Sequence, residues 1–366
     1  MGFVYIGTYT KSGGQGIYSA RLDEAGGRVA GLRLAAHAAN PSFLAVHPSR
    51  RFLFAVSELD NYQEAKSGSI RAFAMDGKTG ELAPLNEVSS QGAWPCHLAV
   101  DASGQNILAT NYGGGSVIVL PVKPDGSVGE ISTIIQHAGS SVHPARQQKP
   151  HPHSVTLSPD NRFALVPDLG LDRVLVYRFD AARGLMGANQ PPFATVGAGA
   201  GPRHCAFHPN GRLVYVINEL RSTVTAFAYD AAGGVLKELQ TLPTLPEDFH
   251  GDSTTAEVQV HPSGRFLYGS NRGHNSIAVF DIHPQTGVLA PLGHVPTQGK
   301  KPRHFGIDPS GKFLLAANQD SNSVVIFRIH LETGGLTPTG QKLEVAAPAC
   351  VKFVPATLPH RRTTDK

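Results

Sequence analysis

The chain of 366 residues is 41% hydrophobic and only 16% charged, a balance that excludes a disordered polypeptide and supplies apolar material for one large domain or two ordinary ones. Its formal charge of +4 comes without any run of five basic residues, which argues against nucleic acid as a partner and suits a small anionic ligand. No apolar run approaches the ~18 residues of a spanning helix, and the N-terminal MGFVYIGTYT alternates like a strand from the start, with no basic and apolar leader, so a cytoplasmic protein with no membrane partner is expected.

In chain order, FVYIGTYT, GQGIYSARL and GLRLAAH, within residues 3–37, read as three strands. Next comes PSFLAVHPSRRFLFAVSE, from Pro41, and its pattern returns from Pro95, Pro152, Pro202, Thr255 and Pro302. A period of roughly 50 residues is a repeat architecture. Each unit holds an alternating strand, a turn such as His-Pro-Asn-Gly, and a second strand rich in Val, Ile, Leu, Phe and Tyr. A third strand follows (GSIRAFAM, STVTAFAYD, NSIAVFDI, NSVVIFRI), then a weaker fourth (LAPLNEV, LKELQTL, LAPLGHV).

Four antiparallel strands per unit describe a propeller blade. Period-2 alternation excludes helical repeats. The six units, with blade one starting at Pro41, leave a lone first strand at the C-terminus, PACVKFV from Pro348. Joined to the three N-terminal strands it makes a seventh blade and closes the ring without an open edge. The expected fold is all-β, a seven-bladed propeller spanning residues 1–357, with a flexible tail over 358–366.

The start of strand one and the end of strand two share a rim in an antiparallel hairpin. That rim collects Ser42, Cys96-His97, His153-Ser154, Arg203-His204, Ala256-Glu257 and Arg303-His304 from strand starts. From strand ends it collects Ser57-Glu58, Asn111-Tyr112, Asp168, Asn218-Glu219, Asn271-Arg272, Asn318-Gln319 and Thr8-Tyr9. A polar rim at a central channel is a natural ligand site.

His47, His208 and His261 alternate with Asp101, Ser158 and Asp308 before the turn proline, so they are expected to bond turn amides. Two excursions break the repeat: residues 137–154, carrying Arg146, Gln147, His151 and His153, and residues 244–257, where Ala256-Glu257 replaces Pro-x-His. Loops on one face of a scaffold commonly carry function. His151 and His153 share a strand face, but no third ligand stands at fixed spacing, so no metal is expected. Cys96, Cys205 and Cys350 lack metal-type spacing and cannot complete a disulfide framework, which makes reduced thiols the expectation.

The motifs YIGTYT, RQ followed by HPHS, PRH-x-x-FHP-x-G-x-x-x-Y-x-x-NE, VHPSGRFLYGSNRGHNSI and ANQDSNSVVIF together resemble the lactonase family of seven-bladed propellers, over about residues 3–354. That family includes 6-phosphogluconolactonases and a 3-carboxy-cis,cis-muconate lactonizing enzyme. The resemblance implies a cytoplasmic hydrolase opening 6-phospho-D-glucono-1,5-lactone; separately, no cofactor is expected, and the chain is expected to be a monomer or weak homodimer. By motif it implies His153, Arg203, Glu219 and Arg272 as catalytic residues. Arg146, Gln147, His204, Asn218, Asn271, Arg303, His304 and Gln319 are expected to bind substrate. Glu219 or His153 would activate water and arginines would hold the oxyanion. The absence of a G-x-S-x-G elbow fits chemistry without a serine nucleophile. The segment LGLDR, residues 169–173, departs from the family pattern. The rival readings are an enzyme for another anionic lactone and a non-enzymatic propeller that docks a protein.

Overall fold

The computed structural model describes residues 2–23 and 25–355. Seven four-stranded antiparallel sheets form a ring of blades. The closing blade takes its innermost strand from Pro348–Val354 and its other three from Gly2–Thr8, Gly16–Leu22 and Val29–His37, as the sequence implied. Phe3 pairs with Val354 and Ile6 with Val351, so the first and last described strands lock together. The expected tail, 358–366, lies outside the described residues. Among those described, the helical pieces are two short 3-10 turns, Thr10–Ser12 and Gln319–Ser321, and no helix is long and apolar enough to cross a membrane.

Burial follows position in the blade. The second strands Phe52–Ser57, Phe163–Asp168, Leu213–Asn218 and Phe313–Asn318 are buried throughout, because both faces meet a neighbouring blade. Outer strands such as Leu336–Glu344 alternate with solvent. The core is therefore a set of layers between blades. One unites Phe163, Leu165 and Val174 of blade three with Val214, Val216 and Phe227 of blade four. Another unites Phe266 and Tyr268 of blade five with Phe305, Leu314 and Phe327 of blade six. Burial of each large side chain contributes about 1.5–3 kcal/mol.

Polar stitches cross the same seams. Tyr215 donates its hydroxyl to the Gly287 carbonyl at 2.9 Å, and Tyr268 to Gly334 at 2.8 Å. The repeated turn histidines behave as expected and do more. His261 Nδ1 accepts the Ser263 amide at 3.1 Å, which leaves Nε2–H to donate to the Gly311 carbonyl of the next blade at 2.8 Å. His208 reaches Gly264 in the same way at 2.8 Å. Gly264 holds φ +77°, and a Cβ there would lie 2.7 Å from the His208 ring, so this turn requires glycine.

Two first strands are shorter than the repeat suggests, Leu44–Val46 and Thr156–Leu157. In blade three, Asp168 accepts the His151 amide at 2.7 Å and the Gly170 amide at 2.9 Å. These side-chain bonds supplement a short backbone pairing, in which the His153 amide donates to the Pro167 carbonyl at 2.9 Å and the Leu169 amide to the His151 carbonyl at 3.0 Å, and hold residues 151–153 at the inner edge of the blade.

Candidate active site

The inner hairpins carry a recurring bulge. Pro95 pairs with Asn111, Pro202 with Asn218 and Pro302 with Asn318, and each register slips at the following residue. A bulge re-aims one side chain out of the pleat. The bulged residues are Cys96, Arg203 and Arg303, and all three line one basin at the mouth of the channel. The basin has a volume of about 270 Å³ and is completed by Glu58, Tyr112, Arg146, His153, Glu219, Arg272 and Lys301.

Glu219 is the centre of the charge network. Its Oε1 accepts from Arg146 at 2.8 Å, and its Oε2 accepts from Arg203 at 2.6 Å and Arg272 at 2.9 Å. Burial raises its pKa, but Arg272, Arg203 and Arg146 outweigh burial and hold the carboxyl well below the usual carboxylate range. The arginines are fixed from behind by carbonyls: Ala256 accepts Arg203 Nε at 3.0 Å, and Thr255 accepts Arg272 Nη2 at 2.7 Å. The expected excursion before blade five therefore acts through its backbone, since the bulge between Thr255 and Val258 presents these two carbonyls.

His153 is 4% exposed, and its Nε2 accepts from Arg203. An arginine can only donate, so Nδ1 carries the proton and faces the Cys96 sulfur at 3.7 Å. Burial, followed by the Arg203 charge, depresses this imidazole well below its ordinary range, and it is neutral. The Cys96–His153 pair does not form a nucleophilic couple, because burial pushes the Cys96 thiol up to about 12. Cys96, Cys205 and Cys350 are all free and buried.

Arg303 differs from the other arginines. Its guanidinium stands 5.1 Å over the Tyr9 ring and has no ion pair or hydrogen bond among the described residues. It also lines a shallower groove of about 400 Å³ beside the basin, with Tyr9, Lys11, Asn40, Glu58, Trp94 and Gln319. Below the basin the channel narrows at Phe43, His204 and His304. There Glu257 Oε2 faces His204 Nδ1 at 3.0 Å and His304 Nε2 at 3.2 Å.

Of the sequence-derived residues, the basin gathers His153, Arg203, Glu219, Arg272, Arg146 and Arg303. Gln319 lines the groove, and His204 and His304 form the neck beneath. Three belong elsewhere. Gln147 is fully buried and ties its loop to Asp172 Oδ1 at 2.7 Å and the Leu169 carbonyl at 2.8 Å. Asn218 donates to Thr223 and Thr225, each at 3.0 Å, and Asn271 to the Thr244 carbonyl at 2.7 Å. These asparagines turn toward their own third strand or the loop before the blade, so the structure corrects all three assignments from substrate contact to scaffold. The divergent LGLDR segment supplies Asp172, which also accepts the Gly199 and Gly201 amides at 2.6 and 2.7 Å and so anchors the Arg146 loop to blade four. His151 and His153 engage separate partners, the Tyr112 carbonyl at 2.9 Å and Arg203.

Sequence reasoning placed Glu58, Tyr9 and Tyr112 on the rim but assigned them no role in the site. Glu58 Oε2 accepts from the Tyr9 hydroxyl at 2.8 Å and from the Ser42 hydroxyl. The signal was present, because Glu58 and Glu219 occupy the same repeat position one residue past the second strand.

The fold is a closed seven-bladed ring with a basic, carboxylate-bearing basin at one channel mouth. The chain belongs to the lactonase family of seven-bladed β-propellers, whose description it matches over residues 3–353. It is 37% identical over 304 residues to a 6-phosphogluconolactonase of Bacillus subtilis, covering 83% of this chain and 84% of that one. A 6-phosphogluconolactonase of Formosa agariphila is 35% identical over 309 residues, covering 83% and 86%. Among solved structures, a periplasmic gluconolactonase of Pseudomonas aeruginosa superposes with a TM-score of 0.91 at 34% identity, covering 97% of this chain and 99% of that one.

Proposed function

We propose that this protein is a lactonase that adds water to 6-phospho-D-glucono-1,5-lactone and yields 6-phosphogluconate, a step of the pentose phosphate pathway. The observation that carries the reading is the charge count of the basin. Arg146, Arg203, Arg272 and Arg303 line the basin with two carboxylates, Glu219 and Glu58, while Lys301 is paired with Asp320 at 3.5 Å, so the cavity is short of negative charge until an anion enters. The named relatives support the lactone chemistry, and the phosphorylated substrate implies a cytoplasmic setting. A basin of about 270 Å³ suits one sugar phosphate better than a polymer.

Arg203 keeps Nη2 free of protein partners among the described residues, and that group is the oxyanion donor. Arg272 reinforces it, and Glu219 pre-organises both guanidiniums, so no reorientation is needed when the carbonyl oxygen becomes charged. His153 fixes Arg203 from the channel side as a neutral acceptor. Arg303, with Lys301 at the rim, takes the phosphate as a forked donor.

The test is proton release from freshly generated 6-phosphogluconolactone, with the spontaneous rate subtracted. The reading expects an enzyme rate well above the blank, and loss of most of it in Arg203→Met. A protein that leaves the blank rate unchanged while opening a dicarboxylate lactone would overturn the choice of substrate.

A further inference from the structure

Both candidate bases that the sequence offered are occupied. Glu219 accepts three guanidiniums through its two oxygens, so protonating it would dismantle the network that holds Arg146, Arg203 and Arg272. His153 spends its single lone pair on Arg203. Water activation needs an acceptor that faces the cavity and has a lone pair free. Glu58 meets this requirement. Its Oε2 is held by Tyr9 and Ser42, while its Oε1 has no hydrogen-bond partner among the described residues. The residue lines both the basin and the adjoining groove, and Arg303 lines both with it.

We propose that Glu58 is the general base of the lactone hydrolysis, acting through Oε1 on a water in the basin. The assignment rests on the lactonase reading given above. An O–H bond of water breaks and its proton passes to Oε1 as the water oxygen bonds to the lactone carbonyl carbon. The carbonyl π pair moves onto its oxygen, facing Arg203. Collapse breaks the bond from that carbon to the ring oxygen, which takes the proton back from Glu58 and leaves as a hydroxyl. The new carboxylic acid ionises to solvent, and Glu58 returns to the carboxylate.

The Tyr9 and Ser42 contacts are what a base on a scaffold needs. They fix the carboxyl plane through one oxygen and leave the other aimed at the reacting water. The arrangement also separates duties between two carboxylates at one repeat position: Glu219 orders the cations and Glu58 moves the proton.

The test compares the wild type with Glu58→Gln and Glu58→Gly on fresh 6-phosphogluconolactone. Glutamine retains an acceptor for Tyr9 and Ser42 and removes basicity. Its kcat is expected to fall about 10²–10⁴-fold, with the affinity for 6-phosphogluconate within a few-fold of wild type by calorimetry. Added formate is expected to restore part of the rate of Glu58→Gly in a saturable way and to leave the wild type unchanged. Wild-type kcat in Glu58→Gln would overturn the assignment. So would loss of product affinity in step with kcat, or no formate rescue, since either means that Glu58 only shapes the site. A wild type with no rate above the blank would instead overturn the lactonase reading and this assignment with it.

Discussion

The hairpins from Pro202 to Asn218 and from Pro302 to Asn318 are two copies of one device. Both begin Pro-Arg-His, share the same ladder register and bulge at the arginine. Their guanidiniums nevertheless live differently. Arg203 is 3% exposed and bonded to Glu219, His153 and the Ala256 carbonyl, whereas Arg303 stands over Tyr9 with no ionic partner among the described residues. The neighbours make the difference, because the second strand of one copy is followed by Glu219 and that of the other by Gln319. The scaffold delivers an arginine to the channel, and the residue one step past the second strand sets its work. One is committed to a rigid network and the other is left without an ionic partner among the described residues.

Breaking the first copy should have the largest effect. Arg203→Met leaves Glu219 buried with part of its charge uncompensated, so stability in urea is expected to fall by about 3–5 kcal/mol, together with a loss of kcat of at least about 100-fold. Arg303→Met, by contrast, removes a cation with no ionic partner among the described residues, held by its contact with the Tyr9 ring, and is expected to cost no more than about 1 kcal/mol. Equal destabilisation by both would erase the distinction.

Acid should come next. Burial is the main cause holding His97, His153 and His204 well below the imidazole range and His304 at about 3, each against an ordinary value of 6.5. Below about pH 6.5 the unfolded chain takes up protons that the folded channel refuses, so stability falls as pH drops and is indifferent above that point. The slope for four such groups is at most about 5 kcal/mol per pH unit. Melting temperature measured from pH 7.5 to 4.5 should show this decline, and a flat profile would mean that these histidines are not kept neutral. The smallest effect should be at the opposite rim. His208→Ala cuts the stitch to Gly264 and should lower stability by about 1 kcal/mol with kcat unchanged, as urea unfolding and the lactone assay would show.

The repeat made the fold legible, down to the seventh blade shared between the chain ends, because strand alternation and turn residues recur with the blade. The rim was legible for the same reason. Alternation in a strand sends adjacent side chains to opposite sides, yet the sequence does not say which of two neighbours at a strand end faces the channel. Asn218 and Glu219 illustrate this: the asparagine turns to Thr223 and Thr225 while the glutamate enters the basin. Gln147 was misread because its loop reaches the basin through Arg146, while the glutamine itself holds the loop to Asp172. Glu58 was placed on the rim but given no role, because its partners are Ser42 of its own hairpin and Tyr9 of the neighbouring N-terminal blade, and the repeat pattern does not show which rim side chains meet.

The central claim is that one copy of the hairpin serves the reaction and the other holds the anion. It is tested most directly by the KM of Arg303→Met for 6-phosphogluconolactone and for the unphosphorylated gluconolactone. KM is expected to rise at least about tenfold more for the phosphorylated substrate, which corresponds to about 1.4 kcal/mol of binding specific to the phosphate. An equal change on both lactones, or a loss confined to kcat, would contradict it.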